Sequence, residues 1–297
     1  MITFFASPKP FIGHIATIQD NAIASWRRLD PDAQIILFGD EEGVEAAATR
    51  HGAFSMPCVA RNEFGTPLLS DMLVKAEQMS EHDVMCFINS DIILMEDFMR
   101  AARKVSEERR RYLLVGQCWN ADIAAPVNFA DVNWDSELRG TIRLAGVRRD
   151  AYSIDYFVFS RSLYGEIPDF AIGRGWFDHW LIWKPRRLGA CVINATKSVC
   201  AVHQNHDYAH IHGGKPCAHR GKEADTNYAL AGGRRNMCTI HHATHKLVNG
   251  KIKRDIVGSY FPKSARPTVE YVVNKLLALT RPVRHSLGIK RRRKTPV

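Results

Sequence analysis

The chain has 297 residues, 45% of them hydrophobic and 24% charged. That suits one large α/β domain or two small ones at roughly 150 residues per domain, and excludes wholesale disorder, a collagen-like repeat or a long coiled coil. Lys and Arg total 41 against 31 Asp and Glu, a formal charge of +10, yet residues 271–297 hold eight of the bases (Lys275, Arg281, Arg284, Lys290, Arg291, Arg292, Arg293, Lys294) and no acid, leaving the first 270 residues at +2. A nucleic-acid-binding domain spreads a basic face over its folded body, so nucleic acid is not an expected partner.

Residues 2–6 (ITFFA), 34–38 (QIILF) and 84–88 (VMCFI) are short apolar runs ending in polar or turn-forming residues, and read as buried parallel strands. Between them, residues 15–28, 42–51 and 68–80 have amphipathic helical spacing. Strand and helix alternating in this way predict a doubly wound, Rossmann-like, mostly parallel sheet flanked by helices. No G-x-G-x-x-G follows the first strand and no G-x-x-x-x-G-K-[ST] occurs, which argues against a dinucleotide site and a P-loop. Further along, 112–118 and 154–159 read as strands separated by a loop-rich stretch. Residues 170–183 (FAIGRGWFDHWLIW) form an aromatic cluster enclosing Asp178, and a strand at 190–194 leads to His203-Gln204-Asn205-His206-Asp207-Tyr208. Residues 209–255 read as a Gly- and His-rich surface loop region. The tail reads as an amphipathic helix over 268–279 followed by a basic extension from Arg281, a combination suited to an anionic membrane surface.

Seven scattered cysteines without a C-x-x-C pair indicate neither a disulfide framework nor a thiolate zinc site, and fit a reducing cytoplasm. The first residues lack a basic n-region and no apolar stretch approaches the ~20 residues of a spanning helix. The expectation is a cytoplasmic protein, peripheral on the inner face of the membrane.

In doubly wound sheets ligands bind beyond the carboxyl ends of the strands, so the residues after each run carry the chemical signal. After the third run, Asn89-Ser90-Asp91 offers amide and carboxylate oxygens to a hard cation such as Mg²⁺ or Mn²⁺, with Asp91 the leading ligand; the same tripeptide also reads as a turn or helix cap. Eight histidines between 203 and 245 raise a separate zinc site as an alternative, although H-E-x-x-H is absent.

The Rossmann-like first half followed by Phe87-Ile88-Asn89-Ser90-Asp91-Ile92-Ile93-Leu94 resembles the D-x-D region of GT-A fold glycosyltransferases of the family 2 kind, over residues 1–210. Pro8-Lys9-Pro10, Phe38-Gly39-Asp40 and the segment from His203 to Tyr208 add to the likeness, whereas Asn89 departs from it by standing where the first acid is expected. The resemblance implies a catalytic domain over 1–210, with a nucleotide-sugar-binding half (1–118) and an acceptor half (119–210), followed by the loop region 211–262 and the tail 263–297. It implies that Asp91, with His203 or His206, holds Mn²⁺ or Mg²⁺ against the diphosphate of a nucleotide-sugar. Ser7, Pro8, Lys9, Asp40, Asp71, Asn89 and Ser90 would line the donor pocket. Asp178 would serve as base, with Asp155 as runner-up or donor-sugar contact, and the tryptophans around Asp178 would stack on sugar. The implied activity is a hexosyltransferase, inverting by default, moving sugar from a UDP-sugar to a hydroxyl of a glycan or lipid-linked acceptor, as in polysaccharide biosynthesis. Two alternatives stay open: a nucleotidyltransferase of similar fold, and a non-catalytic carbohydrate- or membrane-binding protein on a degenerate transferase scaffold.

Overall fold

The computed structural model describes residues 1–206 and 219–255. The tail over 263–297, with its expected helix and basic extension, lies outside the described residues, as do Asp207 and Tyr208. Nine strands form the main sheet: β1 (Thr3–Ala6), β2 (Gln34–Phe38), β3 (Phe54–Met56), β4 (Val84–Ile88), β6 (Tyr112–Val115), β9 (Tyr156–Ser160), β10 (Cys191–Asn194), β12 (His245–Val248) and β13 (Lys251–Arg254). Their order is β13-β12-β10-β6-β9-β4-β1-β2-β3. The β1, β2, β3 and β4 pairs are parallel, as are β10 with β6 and β12, while β9 runs antiparallel to both β4 and β6. This is the mostly parallel sheet the sequence predicts.

The helices are α1 (Gly13–Leu29), α2 (Val44–His51), α3 (Leu69–Met79), α4 (Glu96–Glu108), α5 (Trp134–Ala145), α6 (Phe177–Arg187) and α7 (Lys222–Leu230). Successive side chains of a strand point to opposite faces, and adjacent phenylalanines of β1 show what that does here. Phe4 stacks on Trp26 of α1 (5.6 Å) and Phe98 of α4 (6.0 Å), whereas Phe5 meets Phe38 (6.4 Å) and Phe87 (5.4 Å) on the opposite face. One core layer therefore lies under α1, α2 and α4, and the other under α3 and α6. Both faces are covered, which is why the strands read as unbroken apolar runs.

A second sheet, in the order β5-β11-β7-β8, is built from β5 (Ile92–Leu94), β7 (Trp119–Ala121), β8 (Val147–Arg148) and β11 (Ala201–Gln204). Its core is closed by α5 through Trp134, Leu138 and Ile142. The stretch between 118 and 154, expected to be loop-rich, thus contains a helix and two strands. The expected surface loop region after 209 also needs correction. Within it α7 packs against the body through Ala224 and Asn227, and β12 joins the main sheet parallel to β10, with β13 hairpinned back on it. The hairpin turns at Asn249 (φ 52°) and Gly250 (φ 67°), a left-handed pair that suits Asn-Gly. Among the described residues no helix is long and apolar enough to cross a membrane, and the six cysteines are free thiols.

Candidate active site

The carboxyl edge of β1, β2 and β4 carries the site, and two strand pairings assemble it. Because β9 runs antiparallel to β4 with Tyr156 opposite Ile88, the preceding residue, Asp155, falls beside Asn89. Because β11 runs antiparallel to β5 with His203 opposite Ile92, Gln204 falls opposite Asp91 and the His203 side chain comes within reach of the Asp91 carboxylate. The turn between β4 and β5 is held from three sides. The Trp26 indole N–H donates to the Ile92 carbonyl at 2.9 Å, the Gln204 amide donates to the Asp91 carbonyl at 3.0 Å and to Ile18 at 2.7 Å, and the Ser90 hydroxyl donates to Gln19 at 2.9 Å. Gln204 is fully buried, and its own oxygen accepts from Asn21 at 3.0 Å.

Asp91 Oδ2 lies 3.0 Å from His206 Nε2, 3.8 Å from His203 Nε2 and 3.9 Å from Lys9 Nζ. One donor atom from each of Asp91, His203 and His206 falls within 4.8 Å of the others. Burial works to raise the Asp91 pKa, but His203, the His206 hydrogen bond and Lys9 outweigh it and hold the carboxyl far below the usual carboxylate range. Burial lowers the pKa of His203 despite the opposing pull of Asp91, which favours the neutral imidazole that coordinates metal. The residues fit a cation on a further count. Asp91 Oδ1 and His203 Nδ1 are buried with no hydrogen-bond partner among the described residues, and an orphaned buried polar atom costs about 1–3 kcal/mol unless something satisfies it. One carboxylate and two imidazoles suit Mn²⁺ better than Mg²⁺, which prefers an all-oxygen shell.

Asn89 and Asp155 are bonded to each other. The Asn89 amide donates to Asp155 Oδ1 at 3.2 Å, and Arg149 Nε sits 3.1 Å from Asp155 Oδ2 as a charge pair out of line for a hydrogen bond. Asp155 is thus committed to its neighbours. Its charge nonetheless reaches Asp178, adding to a rise in the Asp178 pKa that burial chiefly causes and that His179 opposes. Asp178 stands in the first turn of α6, its Oδ1 accepting the His179 N–H at 2.9 Å, and His179 Nδ1 lies 2.9 Å from the Cys238 carbonyl. Of the tryptophans expected to stack on sugar, Trp180 is buried against Phe170 at 5.3 Å and belongs to the core. Trp176 caps α6 with φ 86°, a strained left-handed backbone for an aromatic residue, and meets Tyr228 at 5.3 Å.

The remaining candidates divide. Ser7, Pro8 and Lys9 form the β1–α1 loop beside Asp91, and the Lys9 backbone is clamped by Gln19 (N–H to Oε1 2.7 Å, Nε2 to carbonyl 2.9 Å). Asp40 and Asp71 instead flank the loop after β3. Asp40, with an exposed side chain, accepts from Arg61 at 2.7 Å, and Asp71 accepts the Ala60 N–H at 2.7 Å and pairs with Lys75 at 2.8 Å. Against the effect of burial, those partners lower the Asp71 pKa. Sequence reasoning missed Gln19, Gln204 and Arg149, which hold Lys9, Asp91 and Asp155 in place. For Gln204 the available signal was its place beside His203 at the end of the short strand Ala201–Gln204.

No protein-family model matches the sequence, and no curated protein matches it. Among solved structures, the chain is similar to residues 1–349 of S. aureus TarS in complex with UDP-GlcNAc, at TM-score 0.49 and 11% identity over 77% of this chain and 64% of that one. It is similar to glucosyl-3-phosphoglycerate synthase from Mycobacterium tuberculosis in complex with Mg²⁺ and UDP, at 0.47 and 16% over 79% and 80%. It is also similar to the mannosyltransferase PcManGT from Pyrobaculum calidifontis in complex with GDP-Man and Mn²⁺, at 0.44 and 12% over 68% and 56%. The chain therefore spans less than two thirds of the length of the TarS fragment.

Proposed function

We propose that the protein is a GT-A type glycosyltransferase that moves a hexose from a nucleotide-sugar, a UDP-sugar first among them, to a hydroxyl of a glycan or lipid-linked acceptor. The observation that carries the reading is the Asp91, His203 and His206 cluster at the carboxyl edge of the sheet, with the Lys9 ammonium beside it. Asp91, His203 and His206 would hold Mn²⁺ or Mg²⁺, which when bound offsets charge on the departing diphosphate. Lys9 adds a second positive charge from the adjacent loop, and the exposed Asp40 is available to the nucleoside. Asp178, its pKa raised by burial, suits the base. The acceptor oxygen attacks the anomeric carbon, the bond to the diphosphate oxygen breaks with its electron pair leaving on the diphosphate, and the acceptor proton passes to Asp178. This is a single displacement with inversion. Asp155, occupied by Arg149 and Asn89, acts as a positioning residue for the metal turn.

The eight bases of residues 271–297 support peripheral attachment to an anionic membrane. The experiment is hydrolysis of a panel of nucleotide-sugars with Mn²⁺ by the wild-type protein and by Asp91→Ala. Turnover that depends on Asp91 supports the reading; a protein that neither binds nor hydrolyses any donor overturns it.

A further inference from the structure

The Asp91 carboxylate already has a cation at hand. Lys9 Nζ lies 3.9 Å from Asp91 Oδ2 and 3.3 Å from His206 Nε2, on a backbone that Gln19 fixes at both N–H and carbonyl. His206 Nε2 is at the same time 3.0 Å from Asp91 Oδ2. An ammonium only donates and a carboxylate only accepts, so a neutral His206 with a bare Nε2 satisfies Lys9, and one with a proton on Nε2 satisfies Asp91. No single tautomer serves both. A divalent ion arriving at Asp91 and His206 needs that same bare Nε2 and meets the Lys9 charge at close range, so that the two cations share the Asp91 carboxylate.

We propose that Lys9 is an internal counter-ion that competes with the divalent cation for Asp91 and His206, so that the metal binds tightly only together with an anion, such as a diphosphate, that draws the ammonium away. The inference rests on the metal-and-nucleotide reading above. Metal and nucleotide affinities are then positively coupled, each raising the other by the same factor. Because Gln19 grips only the backbone of Lys9, a change of side chain leaves the loop in place.

The test is Mn²⁺ binding, read from the electron paramagnetic resonance signal of the free ion, with and without UDP, for the wild type, Lys9→Met, Lys9→Gln, Lys9→Arg and Asp91→Ala. Lys9→Met and Lys9→Gln are expected to bind Mn²⁺ alone about tenfold more tightly than the wild type, on the scale of ordinary coupling between sites. UDP is expected to strengthen Mn²⁺ binding by about the same factor in the wild type and in Lys9→Arg, and far less in the two neutral variants. Unchanged Mn²⁺ affinity in whichever neutral variant folds overturns the competition. Wild-type binding no tighter than that of Asp91→Ala, with and without UDP, overturns the metal reading beneath it as well.

Discussion

Asn89 and Asp155 are joined through both backbone and side chain: the Asn89 N–H donates to the Asp155 carbonyl at 2.9 Å, and its amide donates to Asp155 Oδ1 at 3.2 Å. The Asn89 amide gives that carboxylate a donor where an acid would repel it, so the departure from a D-x-D pattern is a local fit to Asp155. Asn89→Asp sets two carboxylates in contact with Arg149 as the nearby cation, and is expected to cost about 1–3 kcal/mol of folding stability at neutral pH. The like-charge pair raises a carboxyl pKa in the folded state. The loss is therefore smaller near pH 3, where a proton shared by the pair relieves the repulsion, and develops as pH rises through the carboxylate range. Urea unfolding at pH 3 and pH 7 measures it, and an equal cost at both pH values would remove the charge explanation.

The donor set makes a prediction about metal preference. Saturating Mn²⁺ with UDP should stabilise the protein against heat, by about 2.7 kcal/mol at a hundredfold excess over Kd, with Mg²⁺ giving a smaller effect because two imidazoles suit it poorly. Asp91→Asn keeps the shape of the carboxylate and removes its charge, and should abolish the Mn²⁺ effect. Melting curves with each ion, reversed by EDTA, test this, and a larger shift with Mg²⁺ than with Mn²⁺ would count against coordination by His203 and His206.

Much of the sheet was legible because both its faces are covered: β1, β2 and β4 are unbroken apolar runs, and the polar residues closing them fall at the ligand edge. The same logic found Asp91. It failed where structure depends on one-sided burial. In α5 only Trp134, Leu138 and Ile142, four residues apart, are buried, and the polar residues between them mask the spacing. The β12–β13 hairpin carries the Asn249-Gly250 signal, obscured by the His- and Gly-rich segment around it. The partners of the site were out of reach for a different reason. Gln19 touches Ser90 across 71 residues because α1 packs against β5, and Gln204 touches Asp91 across 113 because β5 pairs with β11, and neither contact leaves a local pattern.

Gln204 should therefore be a sensitive position. Its amide serves the Ile18 and Asp91 carbonyls and its oxygen serves Asn21, all in a fully buried setting. Gln204→Leu removes these partners without changing bulk much, and leaves buried polar groups unsatisfied at about 1–3 kcal/mol each, partly relieved by relaxation. The expected result is a loss of about 2–4 kcal/mol in urea unfolding, together with weaker Mn²⁺ binding because the Asp91 turn loses its support. Stability within about 0.5 kcal/mol of the wild type would show that the network carries little.

Asp178 is where stability and chemistry should part. Burial raises its pKa in the folded protein above the ordinary carboxylate value of 3.8. Between that value and the folded pKa the unfolded chain has released a proton that the native protein retains, so stability falls as pH rises through this window and levels off above it. Asp178→Asn keeps the acceptor for the His179 N–H and has no charge to desolvate. It is expected to match the wild type near pH 3 and to be at least as stable at pH 7. Its transfer rate should fall by about 10²–10⁴, and the acidic limb of kcat/KM, displaced upward from 3.8 in the wild type, should vanish with the carboxylate. Transfer within threefold of the wild type, or an acidic limb that survives the substitution, would move the role of base away from Asp178.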